Sequence, residues 1–268
     1  MSEGSLAFNP EFDPDGAEGG VDTNQLPWLP LPGVAGLSFK PLRASMESGM
    51  ISLIIRLEAG CSIDRLLPLS GMDLLVLSGT LDYSDAAGTT HLEPGVWGYL
   101  AANTCLETLQ ACDAAELLVN AYGALALLSQ DQGVVRLVTS ADIRQAALRA
   151  GINMVPNTLA ECMVSREAYA GPGTPLAIAG EKAGDLVVGV TDSHGSNLSH
   201  PYFVDCKAVP WVVNPALPDI GLKILRVSQE TGYVSLMVRH NGVAAPHNHI
   251  GGGDFLVLEG QLGVRAGP

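Results

Sequence analysis

Residues 21–56 of this chain recur at residues 204–239. The segments VDTNQLPWLPLPGVAGLSFKPLRASMESGMISLIIR and VDCKAVPWVVNPALPDIGLKILRVSQETGYVSLMVR match at 14 of 36 positions with no gap. Trp28/Trp211, Lys40/Lys223, Arg43/Arg226, Gly49/Gly232 and Arg56/Arg239 are among the identities. After a two-residue shift, MDLLVLSGTL (72–81) lies over GDFLVLEGQL (253–262). Such self-similarity marks one folding unit used twice, and it limits the chain to folds that tolerate tandem copies.

The unit is written in strand chemistry. ISLIIRL (51–57) and VSLMVRH (234–240) are apolar and β-branched, with period-2 elements. LLVLSG and FLVLEG are short apolar runs stopped by glycine. Further short strands are expected at LDYSD, VWGYL, LETLQ and ELLVNAY. YSDAAG reads as a hairpin turn, and ALALLSQDQGVVRLV as another hairpin turning at Gln130–Gly133. With 31 Gly, 17 Pro and only 5% aromatic residues, the core must be aliphatic and the turns frequent. Many short, evenly spaced strands imply an all-β sandwich or barrel. One helix is expected in SADIRQAALRAG, capped by Ser140 or Asp142 and stopped by Gly151.

The organisation follows from the repeat. Residues 1–20 are expected to be a mobile tail, 21–151 a first copy with its closing helix, 152–203 a connector, and 204–268 the N-terminal half of a second copy. The connector contains one expected strand, DLVVGVTD (185–192). Fourteen Lys+Arg against 28 Asp+Glu give a formal charge of −14, which argues against nucleic acid and anionic membrane partners. No apolar run reaches the about 18 residues of a bilayer span, and no signal peptide is readable. The five cysteines are dispersed and form no C-x-x-C, so reduced thiols in a cytoplasm are expected.

One cluster has metal-ligand character: Ala245-Pro246-His247-Asn248-His249-Ile250-Gly251-Gly252-Gly253-Asp254. On a strand, residues two apart share a face, so His247 and His249 can enter one interior together. Two imidazoles plus a carboxylate with open positions suit non-haem iron(II) and oxygen chemistry. Of the other histidines, His240 ends an expected strand and could face the interior. His91 reads as a surface residue, and His194 and His200 as loop residues without a hydrolase elbow.

H-x-H followed by a short gap and a strand ending in E-G resembles the first motif of the cupins, G-x5-H-x-H-x3,4-E-x6-G. The matching positions are His247, His249 and Gly260, with Gly253 where the Glu belongs and Asp254 beside it. LPWLPLPG…SFKPLR, LVLSGTLDY and AYGALALLSQDQGVVRLVTSADIRQAALRAG are similar to the 2,4'-dihydroxyacetophenone dioxygenase-like (ChrR-like) cupins. The resemblance implies tandem double-stranded β-helix (jelly-roll) barrels, the second incomplete as written. It also implies a divalent metal held by His247, His249 and, as a candidate carboxylate, Asp254. Iron(II) is expected, with zinc, manganese or nickel as alternatives. The implied activity is C–C cleavage of a hydroxy-ketone or dicarbonyl small molecule with O2, in a homodimer or higher homo-oligomer. The rival readings are a non-enzymatic metal- or small-molecule-binding bicupin and a structural one.

In the first copy the ligand positions hold Leu66, Pro68, Met72 and Leu106, so that copy is expected to carry no metal. The third family His would fall beyond Pro268. The first copy also has an aspartate, Asp73, at the place of Asp254, which favours a structural duty for both. Lys40, Arg43 and Arg56 recur as Lys223, Arg226 and Arg239, and recurrence in a copy without metal favours structural ion pairs over substrate anchoring.

Overall fold

The computed structural model describes residues 22–152 and 201–262, apart from positions 32–33, 47, 130, 132, 214, 216–217, 228–232 and 243–253. The expected strand at 185–192 lies outside the described residues.

The first copy is two antiparallel sheets laid face to face. One contains β1 (Leu29–Pro30), β2 (Leu37–Ala44), β3 (Ile51–Leu57), β5 (Met72–Ser78), β8 (Val96–Leu100), β10 (Ala115–Ala121) and β13 (Tyr202–Asp205). Its strand order is β1-β2-β3-β10-β5-β8-β13. The other contains β4 (Ser62–Pro68), β6 (Leu81–Asp85), β7 (Gly88–Leu92), β9 (Leu106–Ala111), β11 (Leu125–Leu128) and β12 (Val134–Val138), in the order β12-β11-β4-β9-β6-β7. Sequence neighbours are split between sheets, as in a jelly roll, and the two ladders remain separate rather than closing into one cylinder.

Alternation explains the packing. β10 reads AELLVNA, with Ala115, Leu117, Val119 and Ala121 all buried and facing the core. β3 and β5 are buried on both faces over most of their length, and at β5 the second copy packs against the outer side through Leu75 and Leu77. This is why ISLIIRL and LLVLSG read as continuous apolar runs rather than alternating ones. Gly79 ends β5 at φ +71, and a Cβ there would meet the Ala114 carbonyl oxygen at 2.3 Å. Its repeat counterpart Gly260 also has positive φ, +82. Both glycines therefore serve a left-handed turn that other residues resist.

α1 (Ser140–Arg149) closes the copy over β2 and lends Ile143 and Ala147 to the buried surface. Its N-cap is Thr139, one residue before the expected Ser140. Thr139 and Asp142 form a reciprocal capping box, which Ser140 cannot do because it already lies inside the helix.

The second copy repeats the opening of the first. β14 (Val212–Val213), β15 (Ile220–Val227) and β16 (Val234–His240) form a three-stranded sheet ordered as β1-β2-β3 are. The bulge between Pro41 and Arg43 recurs between Ile224 and Arg226. In both copies a Trp ring lies between two cations. Lys40 and Arg56 sit 4.6 and 4.1 Å from the Trp28 ring, and Lys223 and Arg239 sit 4.8 and 4.9 Å from Trp211. Lys40 Nζ donates to the Thr23 carbonyl at 2.7 Å, and Lys223 Nζ to the equivalent Cys206 carbonyl at 2.5 Å. The recurrent cations are thus structural, and cation–π contacts accompany ion pairs such as Arg56–Glu116.

Two expectations change. FLVLEG (255–260) is not a strand, because no described strand lies beside it, whereas its counterpart β5 is bonded between β10 and β8. Tyr202–Asp205, at the entry to the second copy, pairs with β8 and extends the first copy's sheet.

Candidate functional site

The first copy shows what stands where the histidine motif would be. Leu66 and Pro68 lie on β4, Met72 opens β5, and Leu106 opens β9 directly opposite Leu66. Leu66, Met72 and Leu106 are 7%, 2% and 0% exposed and belong to one apolar cluster. Hydrocarbon and a thioether do not match the hard or borderline oxygen and nitrogen donors that iron and zinc take, so this donor set does not fit such a metal.

His247, His249 and Gly253 lie outside the described residues, as do His194 and His200. The two-residue-shifted repeat pairs 247 with Leu66 and 249 with Pro68, and both counterparts are buried on β4. His240 ends β16 and is exposed. Its counterpart, Leu57, stands opposite Ala115, whereas Met72 stands opposite Ala121. Six residues of strand separate those positions, about 20 Å. In the first copy, then, the counterpart of His240 lies at the opposite end of β10 from Met72, the counterpart of Gly253. His91 is exposed on β7 and bonds Asp82.

Asp254 is described, and Arg43 Nη1 of the first copy meets its carboxylate at 2.5 Å. Its counterpart Asp73 turns away from the core, since Met72 and Leu74 take the inner face of β5. Asp73 accepts hydrogen bonds from Tyr122 Oη at 2.6 Å, Asn120 Nδ2 at 3.0 Å and, from the second copy, Ser235 Oγ at 2.9 Å. The second copy's Arg226 is 1% exposed and lies over the Tyr99 ring at 3.9 Å. It donates to the Tyr99 hydroxyl at 3.2 Å and to the Tyr122 hydroxyl at 3.5 Å.

Burial pushes the Asp73 carboxyl above its ordinary range, against the pull of its three donors and Arg226. Burial, and then Asp73 itself, push the Tyr122 hydroxyl upward, so it stays protonated and keeps donating. The Tyr122 and Tyr233 rings stack at 5.0 Å, and the Tyr233 hydroxyl reaches Met50 Sδ at 3.7 Å.

These contacts have two-fold logic. Arg43 of the first copy reaches Asp254 of the second, and Arg226 of the second approaches Asp73 of the first through Tyr122. Met50 and Tyr233, which touch, are each other's counterparts in the repeat. Residue i meeting j′ while j meets i′ is the signature of an isologous interface, here built within one chain. Tyr99, Asn120 and Tyr122 were not singled out in the sequence. The recurrence of Asp73 as Asp254 and of Arg43 as Arg226 was the readable part of this network.

The fold is thus an all-β jelly roll followed by the opening sheet of a second copy, joined through an apolar cluster and the hydrogen bonds around Asp73. The ChrR cupin-like domain model matches residues 17–126 and 199–268, and the chain belongs to that family. Solved cupin structures resemble it at low identity. A Methylibium petroleiphilum PM1 protein, provisionally described as an acetylacetone dioxygenase, is 25% identical at TM-score 0.44, covering 48% of this chain and 93% of its own. An acetylacetone dioxygenase from Acinetobacter johnsonii is 14% identical at TM-score 0.42, covering 48% and 89%. An RmlC-like cupin from Ralstonia eutropha JMP134 is 19% identical at TM-score 0.46, covering 53% and 92%. No curated protein matches the chain. Among the described residues, no helix is long and apolar enough to cross a membrane.

Proposed function

We propose that this cupin is a metal-dependent dioxygenase whose second copy holds the metal and whose first copy braces it. His247 and His249 are the protein ligands of this reading. Two neutral imidazoles suit iron(II) and equally zinc, manganese or nickel. Asp254 has two candidate duties, as a carboxylate for the metal or as the partner of Arg43. When bound, iron(II) supplies Lewis acidity toward a chelating substrate and reducing power toward dioxygen. A hydroxy-ketone or dicarbonyl compound offers the two oxygens such chelation needs. The chain's part is to orient that molecule and keep water from it with aliphatic walls like those packed around Leu66 and Leu106.

The observation that carries this reading is the pairing of His247 and His249 with Leu66 and Pro68, both buried in the family fold. Anaerobic iron(II) titration of the full chain tests it. The expected result is one tight equivalent, lost in the His247→Ala/His249→Ala double variant, with Asp254→Asn deciding between that residue's two duties. Oxygen uptake with a panel of β-dicarbonyl and hydroxy-ketone compounds then tests turnover. Iron retained by the double variant would overturn the assignment.

A further inference from the structure

We propose a second metal site, on the outer surface of the first copy, formed by Asp82, His91 and Cys112 and suited to a borderline divalent ion such as zinc or cobalt. It is independent of the histidine pair at 247 and 249. Three adjacent strands build it, since β7, β6 and β9 lie side by side at one end of the six-stranded sheet. Asp82 and His91 face each other in register. Gln110 pairs with Asp82 and Ala111 with Leu81, so Cys112, two residues after Gln110, lies diagonal to Asp82, fixed by its backbone N–H to the Thr80 carbonyl at 3.0 Å. The carboxylate oxygen, ring nitrogen and sulfur all lie within 4.8 Å of one another.

The chemistry of the donors selects the ion. A thiolate, an imidazole and a carboxylate together favour zinc, cobalt, nickel or copper(II) over magnesium or calcium. Three protein ligands leave the fourth tetrahedral position to water. Asp82 is the hub, taking His91 Nδ1 at 2.7 Å and the Cys112 thiol as donors. An ion would displace both protons in those bonds: the thiol proton leaves to solvent as the sulfur becomes a thiolate, and the neutral His91 ring carries its one N–H proton on Nε2 instead of Nδ1, for a net release of one proton. Glu93 and Asp113 add negative charge felt at His91. The Asp82 and His91 side chains are 39% and 53% exposed, so an ion reaches them directly from water. A bound ion would tie the β6–β7 hairpin to the end of β9.

Cobalt(II) distinguishes this site from the histidine pair, because only thiolate ligation gives an intense near-ultraviolet sulfur-to-cobalt charge-transfer band. Titrating the full chain with cobalt(II) under reducing conditions is expected to produce that band at one equivalent, and zinc should bleach it. Cys112→Ser should abolish the band, and Cys105→Ser and His247→Ala/His249→Ala should leave it. Asp82→Asn and His91→Ala should each weaken cobalt binding at least tenfold. Zinc should raise the melting temperature of the wild type but not of Cys112→Ser, since an ion bound only by the folded chain stabilises it. Circular dichroism confirms that each surface variant is folded. Absence of the band, or its survival in Cys112→Ser, would overturn the site.

Discussion

The two copies open with the same three strands, the same bulge and the same Trp between two cations, yet they differ in what they enclose and in how Arg43 and Arg226 are housed. The first copy is filled with aliphatic side chains where the second carries His-x-His. The Arg226 contact is sealed between the copies, while Arg43 meets Asp254 at the rim, with side chains 15% and 42% exposed. Duplicated sequence therefore fixed the backbone and the partners, while burial sets what each partnership contributes.

Writing the second copy's motif into the first is expected to have the largest effect. In Leu66→His/Pro68→His the new imidazoles enter a cluster with no polar partner. Each unsatisfied buried group costs about 1–3 kcal/mol, with lost apolar burial added. Urea unfolding should show a loss of several kcal/mol and no gain in iron affinity. Tight iron binding by this variant would show that the two histidines alone, whatever surrounds them, distinguish the copies.

The Arg contacts come next. Arg226→Ala removes a buried guanidinium from the Tyr99 and Tyr122 hydroxyls and opens a cavity against the Tyr99 ring, a change expected to cost about 1–3 kcal/mol. Arg43→Ala removes a partly exposed pair and should cost about 0.2–1 kcal/mol. Denaturant midpoints of the two variants check the ranking. Equal losses would mean that burial does not separate the two contacts.

Much of this was legible beforehand, and the limits are physical. The offset of 183 between the copies predicted that Lys40, Arg56, Lys223 and Arg239 act in structure, because they recur where the metal positions are apolar. The recurrence of Asp73 as Asp254 favoured a structural duty for both. Short apolar runs, some with period-2 elements, located β3, β6, β8, β9 and β10. The partners of Asp73 were not legible. Tyr99 and Tyr122 sit on different strands, and Arg226 and Ser235 come from the other copy, so only the tertiary docking brings them together. The strand assignment for FLVLEG failed for a related reason: a run of apolar residues becomes a strand only when a neighbour accepts its hydrogen bonds. The helix boundary slipped by one residue because two hydroxyls, Thr139 and Ser140, compete for the cap. The reciprocal bond with Asp142 selects Thr139.

The smallest expected effect is a slope with pH. Burial raises the Asp73 carboxyl above its ordinary value of 3.8 in the folded chain. The unfolded chain therefore releases that proton first as pH rises. Between 3.8 and the raised folded value, the native state binds more protons than the unfolded one. By linkage, the contribution of Asp73 to stability is greatest below that window, falls as pH climbs through it, and is constant above. Asp73→Asn removes the titration. Asparagine also turns an amide donor toward the Tyr122, Asn120 and Ser235 donors, so an offset independent of pH is expected as well. The informative quantity is the difference in unfolding free energy between wild type and Asp73→Asn, followed by urea titration from pH 4 to pH 7. That difference should drift against the wild type as pH rises, because the buried carboxylate must then hold its charge between the two copies. A drift in the opposite direction would mean that Tyr122, Asn120, Ser235 and Arg226 together outweigh burial, and that the interface is built to hold an ionised Asp73.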